Sequence, residues 1–211
     1  MPSTTISEPA NARSRRTRGA LLGAARGILE EQGFEALTMT AVADRAGVTR
    51  RAAYMHFATR SDLVAALFDH IADAEGLAQS VQQVWRAPDA AAALDEWAGH
   101  LARYHPKLLA VDRALQRVWR LDPDAAAHRE RVVAERLANC RRLASWLADE
   151  GRLRAPWTVA SATDMLFALI SSDVVEALLD DRHWSHRRLA DGLALLLRST
   201  FLTPKRDVPG R

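Results

Sequence analysis

One stretch, Thr38 to Arg60 (TMTAVADRAGVTRRAAYMHFATR), constrains this chain's fold more than any other. Thr38 and Thr49 each stand at the head of a short helical pattern, and Gly47-Val48 separates the two, so the spacing predicts helix, tight turn, helix. Ala43 is small where the two helices must cross closely, and Gly47 suits a left-handed turn position, which costs little without a β-carbon. Val42, Ala46 and Val48 supply an apolar inner face and leave Arg50 and Arg51 outward at the start of the second helix. In such a unit the second helix enters the major groove while the first braces it across the backbone. These residues therefore predict binding to duplex DNA.

Charge follows the same division. Residues 1 to 60 hold nine arginines against five acids, a surplus of +4, while the remainder carries −1 of the chain's net +3. A basic N-terminal head on a near-neutral body fits DNA binding joined to a second task, although a solvated face would look similar. The 48% apolar and 26% charged composition is that of a globular protein. No apolar run approaches the ~18 to 20 residues that span a bilayer, and the N-terminus lacks the blocks of a signal peptide, so no membrane partner is expected and the cytoplasm is the expected location. The single cysteine, Cys140, has no metal-ligand spacing around it and reads as a packing residue.

Taken in order, residues 1 to 12 read as a disordered tail, 13 to 60 as the helix-turn-helix domain, 61 to 203 as a helical body and 204 to 211 as a second tail. A first helix runs from Thr17 to Gln32 with Gly33 as its C-terminal cap, and the basic run Arg13 to Arg18 serves either as a solvated helix start or as a phosphate contact. Thr59 and Asp62 resemble a capping box, starting a helix expected to reach Trp85 before Pro88 stops it. Further helices are predicted over Asp89 to Tyr104, Pro106 to Leu121, Pro123 to Glu150, Thr158 to Leu179 and Ser185 to Leu202, about nine in all, with no sheet. The fold class is all-α.

Gly33-Phe34, Thr38, Ala43, Ala46-Gly47-Val48-Thr49, Tyr54-x-His56-Phe57, Arg60 and Leu63 together resemble the N-terminal domain of the TetR family of bacterial transcriptional regulators, over about residues 17 to 68. The resemblance implies that Thr38, Tyr54, His56 and Arg60 hold phosphates, for which a hydroxyl, a ring N–H and a guanidinium fork are apt donors. Packing within the head is the other role open to Tyr54 and His56. Base reading would fall to Thr40, Thr49, Arg50, Arg51 and Ala52. An arginine can pair bidentately with guanine, so guanine-containing half-sites are expected. The sequence departs from the family pattern at Arg60, usually Lys; at Ala53, usually a larger aliphatic; and at Arg51, usually small or Pro, so that Arg51 reaches a phosphate, or only water, instead of a base.

In the body, Trp97, His100 and Tyr104 fall on one helix face, and with Trp119, Asp164 and Phe167 they are the expected wall of a ligand pocket, although aromatics at helical spacing also build plain core. Leu166, Ile170, Val174 and Leu178 on one late helix, with Leu189, Leu193 and Leu196 on the next, are expected to form a four-helix interface with a second copy. No H-E-x-x-H pattern, Gly-rich phosphate loop or nucleophile elbow occurs, so no enzyme, metal or cofactor is expected. The sequence thus predicts a homodimeric regulator, a repressor released from a palindromic operator by a small, largely apolar effector of unknown identity. An activator or global regulator without an effector, a helical protein-binding module and an enzyme stay open as alternatives.

Overall fold

The computed structural model describes residues 12–203. The predicted tails fall outside them except for residue 12, where α1 already begins. Ten α-helices occur in order: α1 (Ala12–Gln32), α2 (Met39–Arg45), α3 (Arg50–His56), α4 (Arg60–Ala74), α5 (Leu77–Trp85), α6 (Ala90–Val118), α7 (Pro123–Asp149), α8 (Val159–Leu169), α9 (Ser172–Glu176) and α10 (His186–Phe201). A 3₁₀ turn (Phe34–Ala36) and a π-helical turn (Ala177–Asp181) complete the regular structure, and among the described residues a single β-bridge, Leu153 to Leu202, stands in place of any strand. None of these helices is long and apolar enough to cross a membrane.

α1 begins at Ala12 and not at the expected Thr17, and three further stretches are divided differently from the sequence expectation. The long helix after Thr59 breaks at Gly76, whose φ of 73° places it in the left-handed region, so α5 starts afresh from Gly76. Pro106 breaks nothing: α6 runs through it for 29 residues, because the one hydrogen bond that proline deletes is outweighed by the buried Leu101, Ala102 and Leu109 on either side. The Thr158 helix stops at Ile170, and Ser171 caps α9 by accepting from Val174 N at 3.4 Å.

The chain forms two compact units. The first holds the described residues up to Ala74 together with Arg113–Arg129, the second Glu75–Asp112 and the described residues from Glu130 onward, so α6 and α7 each contribute to both, and the units do not part at residue 60. In the first unit Leu21, Ile28, Phe34, Leu37, Phe57 and Leu67 are fully buried, and Phe68 stacks on the buried His128 at 3.5 Å between ring centroids. The second unit is centred on Leu94, Leu101, Leu143, Leu147, Leu166 and Phe201. Its chain end is fastened by Arg154 N to Phe201 O (2.8 Å) and Thr203 N to Arg152 O (2.8 Å).

Candidate nucleic-acid interface and ligand site

The helix-turn-helix is assembled by its caps. Thr38 Oγ1 accepts from Ala41 N at 3.1 Å and Thr49 Oγ1 from Ala52 N at 3.2 Å, so each threonine fixes where its helix begins. Each hydroxyl keeps its own proton to donate outward. Gly47 takes φ 67°, as the turn requires, and Val48 N closes it onto Ala43 O at 3.0 Å. Ala43 and Ala53 are buried, so α2 and α3 cross over two methyl groups.

This packing splits α3 into two faces. Arg50, Arg51, Tyr54 and Met55 are exposed, while Ala53 and the capping Phe57 are buried. Arg50 lies over the Tyr54 ring, 5.6 Å from its centroid, which orders both side chains without consuming the guanidinium donors. Tyr54 is 42% exposed, so it does not seal the core. Ala52, expected to read bases, is half-buried and off the outward face. Met55, which the sequence reading left out, is 80% exposed in the midst of that face. Its thioether suits contact with a thymine methyl group. The order of large and small residues in RRAAYMH carries this signal, since at helical period Arg50, Arg51, Tyr54 and Met55 share one side of the helix.

Two further placements alter the phosphate set. Arg18, from the ambiguous basic run, donates to His56 O at 3.3 Å and lies 4.5 Å over the Phe57 ring, which brings α1 to the end of α3. Burial, then the Arg18 charge, holds the His56 ring below its ordinary pKa, leaving a neutral imidazole with one N–H to donate. Arg60, expected on a phosphate, is instead turned inward. Its Nε donates to Leu37 O (2.7 Å), Nη2 to Phe34 O (3.2 Å), and Nη1 to Asp122 Oδ2 (2.7 Å) and Asp124 Oδ2 (3.1 Å). The guanidinium also covers the Phe34 ring at 4.6 Å. Asp122 can serve Arg60 because its other oxygen, Oδ1, caps α7 by accepting from Asp124 N and Ala125 N.

Residues 21–67, which contain this whole arrangement, match the family model described as bacterial regulatory proteins, tetR family. Residues 21–67 are a helix-turn-helix of the tetR-family type. No curated protein sequence matches the chain. Similar solved structures include NalD of Pseudomonas aeruginosa, the secondary repressor of the MexAB-OprM multidrug efflux pump, at 22% identity and TM-score 0.67 over 93% of this chain and 100% of that one. A SmeT–triclosan complex is similar at 20% identity and TM-score 0.70, over 92% and 96% of the two chains. A transcriptional regulator of Saccharomonospora viridis in complex with choline is similar at 14% identity and TM-score 0.70, over 89% and 98%. The chain therefore shares the fold of these structures along most of its length.

Within the body, Trp97, His100 and Tyr104 come together as expected. Their rings form a column with Trp85, with centroids 6.2 Å (Trp85–Trp97), 5.2 Å (Trp97–His100) and 5.7 Å (His100–Tyr104) apart, and His100 Nδ1 meets Ser80 Oγ at 2.9 Å. Burial lowers the His100 pKa to about 4, with Arg103 adding to the effect. Phe167 is half-buried against the same core. The other expected wall residues lie elsewhere: Asp164 is exposed on α8, and Trp119 belongs to the first compact unit, where Arg120 and Arg129 stack on its ring at 5.0 and 4.2 Å.

The expected interface residues also shift. Leu166, Ile170, Leu189 and Leu193 are buried in the body's own core, and Val174 and Leu178 are half-buried. Of the seven only Leu196 is exposed; Met165 on α8 and Leu195 on α10, 71% exposed, are outward too. Both helices are apolar on more than one side, and periodicity alone could not say which side the core takes.

Among the described residues, two buried side-chain polar atoms have no hydrogen-bond partner, Trp97 Nε1 and His105 Nδ1. Leaving such a group unmet costs about 1–3 kcal/mol. Both lie on α6, and the sequence reading missed His105 because it ended the helix at Tyr104.

Proposed function

We propose that this chain is a homodimeric transcriptional repressor that binds a palindromic operator and leaves it when a small, largely apolar ligand enters the body. The observation that carries the reading is the outward face of α3, where Arg50, Arg51, Tyr54 and Met55 stand together beside the capped Thr38 and Thr49. Arg50, held over Tyr54, is the guanine reader; Thr38, Tyr54 and His56, with Arg18, contact phosphates. Such a protein works where bacterial DNA lies, in the cytoplasm.

One such face covers too few base pairs for selective binding, so two heads must enter successive major grooves ~34 Å apart. Met165, Leu195 and Leu196 supply the apolar centre of the pairing surface. Leu195→Lys is expected to give a monomer by size-exclusion chromatography with light scattering, at unchanged helicity because the side chain is outside the core. A dimer of undiminished strength would move the interface elsewhere.

Because α6 and α7 contribute to both compact units, a ligand that alters these helices can act on the turn between them, where Asp122 and Asp124 hold Arg60. The ligand must prefer the released conformation, since equal affinity for both shifts nothing. The test is selection of bound sequences from random duplex DNA. A palindrome with guanine in each half is expected, and Arg50→Ala should relax preference at one base pair per half by ~1–3 kcal/mol while leaving affinity for random DNA nearly unchanged. No enrichment would remove the proposal.

A further inference from the structure

One stripe of α6 carries the buried Trp97, Leu101 and His105 and the half-buried Leu108 and Asp112, the last four standing four, eight, eleven and fifteen residues beyond Trp97. The two orphaned polar atoms, Trp97 Nε1 and His105 Nδ1, are both on it. Eight residues of helix separate them by ~12 Å, too far for one small acceptor to serve both.

Around the His105 end the surroundings are ionic. Burial pushes the His105 pKa down to about 3, with the Arg136 and His100 charges adding to it, so the ring is neutral at pH 7. Arg136 on α7 bears on His105, on Asp112 and on the buried Cys140, whose thiol burial pushes up to about 12. Asp112 is occupied as the acceptor of Ser172 Oγ at 2.6 Å, and its own pKa is raised, chiefly by burial. Asp112 is the carboxylate on which the Arg136 charge bears. The Trp97 end is aromatic, flanked by the Trp85, His100 and Tyr104 rings.

We infer that this stripe is the polar anchor of the effector site and that it takes an elongated aromatic acid: a carboxylate received by Arg136 and His105, a flat ring against the aromatic column, and a hydrogen-bond acceptor at the far end for the Trp97 N–H. This rests on the ligand-responsive reading above and specifies the chemistry of its ligand. Trp97 Nε1 is a donor only, so the group it lacks is an acceptor. Neutral His105 supplies a donor without charge, and Arg136 supplies the cation that an acid needs when it leaves water.

The probe is 6-methoxy-2-naphthoate, with 6-methoxy-2-naphthamide as its neutral counterpart, each titrated calorimetrically into the full chain. The acid is expected to bind at least tenfold more tightly than the amide. Arg136→Gln should abolish that preference and Arg136→Lys retain part of it, whereas His105→Phe should weaken the acid severalfold more than the amide. An acid that does not bind, or binds no better than the amide, or keeps its preference in R136Q, overturns the anchor. Release of duplex DNA is measured with the same two compounds. DNA released by the amide without acid preference leaves the repressor reading standing and removes the anchor; acid preference with DNA still bound keeps the anchor and removes ligand-driven release.

Discussion

Replacing Phe57 by alanine is expected to unfold the DNA-binding head. The ring is fully buried at the end of α3, its own N–H closes that helix onto Ala53 O at 3.0 Å, and Arg18 covers one face. Loss of a buried phenylalanine costs about 3–5 kcal/mol, the cavity included. In a head of this size that lowers the melting midpoint by ~10 °C or more. The measurement is thermal circular dichroism together with operator binding, and Met55→Ala serves as a neighbouring control. That substitution is made on an exposed side chain and should leave the midpoint in place while weakening DNA binding. A Phe57→Ala protein destabilised by less than ~1 kcal/mol would show that the head is held together elsewhere.

The second large effect is expected at Arg60. Arg60→Met keeps the stem and removes the guanidinium, leaving the Phe34 and Leu37 carbonyls and two carboxylates without their donor. The groups are about a quarter exposed, so water recovers part of the loss, and a cost of about 2–3 kcal/mol is expected. The lost stability should reappear in part when Asp124→Asn is added, because the second change removes a charge that the first stranded. The double-mutant cycle in urea measures this. Additive losses would show that Arg60 and Asp124 do not act together. Unchanged stability with weakened DNA binding would return Arg60 to a phosphate. Operator and random DNA should both bind less tightly near the lowered midpoint and regain affinity on cooling.

Much of the head was legible in the sequence because its signals are local. Thr38 and Thr49 each cap a helix through the backbone N–H three residues on, Gly33 and Gly47 adopt positive φ, and the helix-turn-helix lies where these residues put it. Arg60 was misplaced for a non-local reason: its partners Asp122 and Asp124 stand some sixty residues away, and nothing in the local pattern marks them. Ala52 is half-buried and Met55 exposed because the two fall on different sides of α3 at helical period, which motif position alone does not tell. In the body, Pro106 was given more weight than the burial on either side of it, which hid His105 and with it the continuous stripe of α6. The late helices show the limit of patterning most clearly, since leucines at 189, 193 and 196 look alike in sequence and only the first two are inside.

The inward turn of Arg60 also alters how the protein should respond to its ionic medium. A cation that neutralises a DNA phosphate releases condensed counterions, and each such contact adds about 0.9 to the exponent with which affinity falls as salt rises. A guanidinium already satisfied by two carboxylates and two carbonyls releases none. Each head therefore forgoes roughly one unit of that exponent. For the proposed regulator, operator binding is then expected to be less sensitive to added potassium salt, with a larger share of the affinity left to the proposed base-reading face.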